Sequence, residues 1–174
     1  VLLDGEGWQR VLHGFSRSAF RLEALPAYKV AGEAEEIEEF LNGYRIDPDT
    51  YTSGWTDRLR AHTAAGRTVQ RVHIVTRPLS DYLRYEFMYY APHVKAGEDI
   101  RILDLTGRSN PGLPDQDFWA FDDSTVVLMN YEPDGTQIDR VLVEGGVEKY
   151  REWRRVAVAE SVPFVDYVEE HGWQ

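Results

Sequence analysis

The chain has 174 residues, 43% of them hydrophobic, and a formal charge of −11 at pH 7. That length suits a single domain over 1–174 with an ordinary core, and the acidic balance makes nucleic acid an unlikely ligand, because phosphate binding needs the opposite sign. No cysteine, no apolar run of roughly 18 residues and no basic-then-apolar leader occur, so thiol and Cys–metal chemistry are excluded and a cytoplasmic chain without a membrane span is expected.

Residues 1–66 read as mainly helical. Trp8, Val11, Leu12 and Phe15 share one helical face. Pro26 introduces a loop or short strand around Tyr28 and Val30. Residues 33–42 hold five glutamates around Ile37, Phe40 and Leu41, a helix that docks its apolar side, solvates the other and stops at Asn42–Gly43. Ser53 or Thr56 can cap a further helix that ends at Gly66.

Residues 67–174 read as a mixed-sheet core with C-terminal helices. Alternation over 69–75 predicts a strand that buries Val72 and Ile74 and turns Arg71 and His73 to the other side. From Leu79 the spacing becomes helical, with Pro78 in the first turn and Pro92 bending or ending the helix near 91. Gly97 closes the unit before a strand over 100–105. Strands over 118–121, 125–131 and 137–143, joined by Asp122–Asp123–Ser124 and Pro133–Asp134–Gly135, form an antiparallel meander. Helices flank Pro163. The fold class is α+β, a mixed sheet with a C-terminal meander.

The polar density around residues 77–86 marks a candidate site. Arg77, Asp81 and Arg84 fall at helical spacings that make one charged face, with Ser80 beside them and Glu86 turned toward Tyr82 and Tyr90. Arg77, Ser80, Tyr82, Arg84, Arg101, Asp117, Trp119 and Asp122 are the candidate ligand-binding residues. If the protein is an enzyme, Asp81 or Glu86 serves as acid–base and Arg84 holds an anion. The alternative is an internal ion-pair network that ties the helix to Arg71 or Arg101. Among the aromatics, Trp119 is the favoured pocket member.

No histidine pair at ligand spacing, phosphate loop, dinucleotide fingerprint or serine elbow is present, so no metal or cofactor is expected. Asp117, Asp122 and Asp123 read as turn residues before cation ligands. His93, Lys95 and Asp99 make a segment similar to the phospholipase D signature, but only three residues separate Lys95 from Asp99.

Three segments together, Pro78-Leu-Ser-Asp-Tyr-Leu-Arg-Tyr-Glu86, Ala96-Gly-Glu-Asp-Ile-Arg101 and Asp117-Phe-Trp-Ala-Phe-Asp122, resemble an actinobacterial family of unknown function (DUF6879-like). Ser18-Ala-Phe-Arg-Leu-Glu23 is similar to that family's start. The resemblance implies genes near helix-turn-helix regulators of the Xre type and a regulatory partner. From residue 69 onward the order of elements is also similar to one half of a phospholipase D-type domain, without its catalytic motif. Two functions are carried forward: a binding or regulatory module for a small molecule or a basic regulatory protein, and a cofactor-independent cyclase, isomerase or hydrolase of specialised metabolism. Oligomeric state is left open.

Overall fold

In Ser18–Glu23, Phe20 and Leu22 alternate with Ala19, Arg21 and Glu23, and the segment is strand β1. The computed structural model describes residues 1–173. Helix α1 (Gly5–His13) precedes β1, and α2 (Glu33–Leu41) and α3 (Gly54–Ala64) follow it. Next come β2 (Thr68–Val75), α4 (Asp81–Ala96), β3 (Asp99–Asp104) and the meander β4 (Asp117–Phe121), β5 (Thr125–Tyr131) and β6 (Gln137–Leu142). Helix α5 (Glu148–Glu160), the short β7 (Val162–Pro163) and α6 (Phe164–His171) close the order.

The seven strands form one mixed sheet, β6-β5-β4-β1-β2-β3-β7. β1, β2 and β3 run parallel; β4, β5, β6 and β7 join by antiparallel pairing. The class is α+β, and the meander stands where alternation and turn residues placed it. Residues 1–66 hold three helices and also β1, the middle strand of this sheet, which helical spacing alone did not indicate. No helix among the described residues is long and apolar enough to cross a membrane.

Local signals explain most element ends. Ser53 caps α3 in a reciprocal capping box with Thr56. Ser80 caps α4, accepting from the Leu83 N–H, so Pro78 lies outside the first turn. Helix α4 runs through Pro92 to Ala96 and ends at Gly97 in the left-handed region. Pro92 therefore neither ends nor shortens the helix. Burial of Tyr90, Pro92 and Ala96 on either side of the missing N–H outweighs that one lost bond. On α2, Phe40 docks against Tyr85 and Met88 of α4, whereas Leu41 stays exposed.

Both faces of the sheet are covered. Phe20, Leu22, Val72, Leu103 and Phe118 pack under Tyr150 and Ala157 of α5. On the opposite face, Ala19, Val69 and Phe121 meet Trp8 of α1 and Leu59 of α3. Further along that face, Val75, Ile100 and Ile102 meet Leu83, Phe87 and Tyr90 of α4 and Phe164 of α6. Between these two apolar clusters the register sets Arg21 beside Arg71 and Glu23 beside His73. The second face of β2 is thus buried as well, with His73 fully enclosed, contrary to the one buried face expected from alternation.

Candidate functional site

Charged groups taken out of water must be paired, or they neutralise. The polar patch at the centre of the sheet obeys that rule almost throughout. Arg71 donates Nε–H to Glu98 Oε2 at 2.8 Å and Nη1–H to Glu23 Oε1. Glu98 also accepts from the Trp55 indole at 3.0 Å. Arg21 donates to Asp117 Oδ2 and to the Tyr131 hydroxyl, each at 3.0 Å, and Tyr28 and the Ala24 N–H complete the shell around Asp117. Burial raises the Glu23 carboxyl, but the Arg71 and Arg21 cations outweigh it and hold it at about 2.

His73 links this floor to α4. Its Nε2 faces the Leu25 carbonyl at 3.1 Å, which can only accept, so that nitrogen carries a proton. Nδ1 shares a hydrogen bond with the Tyr90 hydroxyl at 2.8 Å. Glu86, one turn before Tyr90, places Oε2 at 3.7 Å from the same Nδ1, and that oxygen is buried without a hydrogen-bond partner. Burial first, then the Glu23 charge, pushes the Glu86 carboxyl well above the usual range.

Above the floor lie two adjoining cavities of about 360 and 540 Å³, which share Glu33, Arg71, Tyr82, Glu86 and Trp119 in their linings. The first is walled by aromatic rings from α4 (Tyr82, Tyr85, Tyr89, Tyr90), with Tyr51 and Trp55, and by Glu36 and His93. Glu36 accepts from the hydroxyls of Tyr85 and Tyr89. Glu33 is pushed up to about 7 by burial and then by Glu36, and its Oε2 also lacks a partner. Burial lowers the His93 imidazole to about 4.

Of the residues singled out from sequence, Tyr82, Glu86 and Trp119 line this cleft, and Asp117 lies at its edge beneath Arg21 and Tyr28. The others do not face it. The single charged face of Arg77, Asp81 and Arg84 does not form, because α4 begins only at Asp81. Arg77 instead donates to the Tyr167 hydroxyl and the Gly172 carbonyl. Ser80 is a helix cap, and Asp81 pairs with Arg84 at 3.1 Å on the outside. Arg101 bonds Ser161, and Asp122 accepts from the backbone N–H groups of Ser16, Arg17 and Ser18. The internal network weighed as the alternative does exist at Arg71, but it runs to Glu23 and Glu98 and not to the outer helix charges.

Sequence spacing missed Arg21, Glu23, His73, Glu33 and His93. The period of two in Phe20-Arg21-Leu22-Glu23 was the available signal for the first pair. Histidine spacing also gave no sign of the acidic neighbours of His73. Glu23, His73 and Glu86 offer ligand atoms within 4.8 Å of one another, a grouping able to hold a metal ion. Arg71 and Arg21 already neutralise Glu23, so an ion there would compete with two guanidinium groups.

A comparison with curated proteins finds no match. Residues 6–169 match the family described as Domain of unknown function (DUF6879), and the chain belongs to that family.

Proposed function

We propose that the domain is a small-molecule-binding module with a regulatory role, its ligand held in the cleft between α2, α4 and the polar floor. The observation that carries this reading is a pair of buried carboxylate oxygens in the cleft lining, Glu33 Oε2 and Glu86 Oε2, that have no donor. Folded proteins leave few such groups without a partner, and a ligand donor would satisfy both. The resemblance to a family encoded near Xre-type regulators supports the regulatory half. Phospholipase chemistry is no part of the reading, since Lys95 is committed to Asp49 and Asp99 to Gln70. Thermal-shift screening of the chain against a metabolite library tests it. Hits that raise the Tm of the wild type and fail with Tyr82→Ala support a ligand cleft; hits indifferent to that variant, or none, overturn it.

A second reading, an acid–base enzyme without a cofactor, draws on the carboxyl of Glu86 beside His73. A carboxyl held protonated near neutrality suits a general acid. Asp81, exposed and paired with Arg84, is set aside in this version. Loss of turnover in Glu86→Gln with ligand binding retained would favour the enzyme; binding without any turnover in the wild type would rule it out.

A further inference from the structure

The charge inventory of the first cavity is unbalanced in one direction, whereas the adjoining one also has Arg21 and Lys29 in its lining, paired with Asp117 and Asp134. Glu33, Glu36 and Glu86 line the first cavity, and among the described residues none has a lysine or arginine within 4 Å. The one guanidinium in that lining, Arg71, is already committed to Glu23 and Glu98. An anion entering here would meet three carboxyl groups and a cation whose charge is already matched. A cation would meet the reverse. The walls suit a cation too, because the faces of tyrosine and tryptophan rings carry negative potential. Tyr82, Tyr85 and Tyr89 stand in series along α4, with ring centroids 6.1 and 5.2 Å apart, and Trp55 and Trp119 face each other edge-on at 6.5 Å.

The partnerless oxygens narrow the class further. Glu33 Oε2 and Glu86 Oε2 lack a hydrogen-bond partner, and once ionised each needs a donor, which a quaternary ammonium lacks and a protonated amine has. A bare divalent ion is a poorer fit for the aromatic walls, which offer it no ligand atoms beyond hydroxyls. Resting on the binding-module reading above, we propose that the cleft takes a protonated amine on an apolar or planar body, its N–H groups directed to Glu86 and Glu33 and its body laid against Tyr82 and Trp119. Amine binding would draw Glu86 into its ionised form, so each binding event releases protons at neutral pH.

Calorimetric titration of the full chain with phenethylamine, phenethyl alcohol and hydrocinnamate tests the class, since the three share a body and differ in charge. The amine is expected to bind at least about tenfold more tightly than the alcohol, with no measurable binding of the carboxylate. Its binding enthalpy should shift with the ionisation enthalpy of the buffer, as proton release requires. Glu86→Gln and Glu33→Gln should each weaken the amine about tenfold while leaving the alcohol unchanged, and Asp81→Asn, outside the cleft, should leave all three unchanged. Equal or tighter binding of the alcohol or the carboxylate overturns the inference, as does amine binding indifferent to both glutamine variants. If none of the three binds, the amine class falls. The module reading then stands or falls separately, on whether the metabolite screen finds a ligand sensitive to Tyr82→Ala.

Discussion

Glu86 Oε2 sits 3.7 Å from Nδ1 of His73 and makes no hydrogen bond of its own, with the Tyr90 hydroxyl the nearest neighbour able to donate to that carboxyl. The ring directs Nε2–H at the Leu25 carbonyl, and its Nδ1 is engaged with the Tyr90 hydroxyl. A carboxyl in that position is most stable protonated.

Stability should therefore fall as pH rises. Burial and Glu23 raise the Glu86 carboxyl, and burial and Glu36 raise Glu33 to about 7. Both groups bind more protons in the folded chain than in the unfolded one, so stability is lost as pH climbs from the ordinary carboxylate range. Glu23, held at about 2, works in the opposite sense: its contribution is present above the ordinary range and is lost as pH falls toward 2. The charged and titratable groups facing Glu86 are Glu23 of β1, Arg71 and His73 of β2, Tyr90 of α4 and Glu33 of α2. The Tm is expected to peak in mildly acid buffer and decline between about pH 5 and pH 8, with Glu86→Gln flattening that decline. An unchanged slope in the variant would count against a protonated Glu86.

Removing one member of the buried pair Arg71–Glu23 should be costly. Their side chains are 13% and 4% exposed, so Arg71→Met leaves Glu98 without its cation and Glu23 with Arg21 as its remaining guanidinium. Urea unfolding is expected to show a loss of about 3–5 kcal/mol for Arg71→Met, with part regained when Glu23→Gln is added. Additive losses in the double variant would show that the two groups do not act as a pair.

Asp122 is predicted to matter for the fold and not for binding. It occupies the left-handed region at φ 54° and accepts three backbone N–H groups from the segment that leads into β1. Asp122→Ala should cost about 1–3 kcal/mol and leave ligand affinity in the cleft unchanged. A variant of native stability with impaired binding would reverse that assignment.

Gly135 lets the β5–β6 turn touch the loop that carries Tyr28 and Lys29. At φ 90° an added Cβ would stand 2.5 Å from the Ala27 carbonyl oxygen and 2.8 Å from Tyr28 Cα, both backbone. Gly135→Ala is expected to lower stability by about 1–3 kcal/mol and to loosen Tyr28, read as faster amide exchange over residues 27–29. Native exchange rates there would show that the contact can shift without consequence.

Local chemistry carried much of the fold. The cap at Ser53, the stop at Gly97, the Pro133–Asp134–Gly135 turn and the three meander strands all rest on signals within a few residues, and each stands where those signals put it. The failures have a different cause. Pro92 is a local stop overruled by burial on both sides, and the second face of β2 looked solvent-facing because Arg71 and His73 are polar. β1 was overlooked because its polar residues are buried rather than exposed, which breaks the usual link between polarity and surface.

The site divides the same way. The sequence by itself determined that α4 would be amphipathic and aromatic, and that Glu86 would share a side with Tyr82 and Tyr90, because a period of 3.6 residues dictates it. Only the tertiary structure decided what that side would meet. Parallel pairing of β1 with β2 brings Glu23 level with His73, and the antiparallel return of β4 sets Trp119 beside Arg21. Those contacts join residues some 50 to 100 positions apart, so no local window contains them. Register and burial convert separate acidic, basic and aromatic residues into one cleft in which two carboxylate oxygens lack a partner.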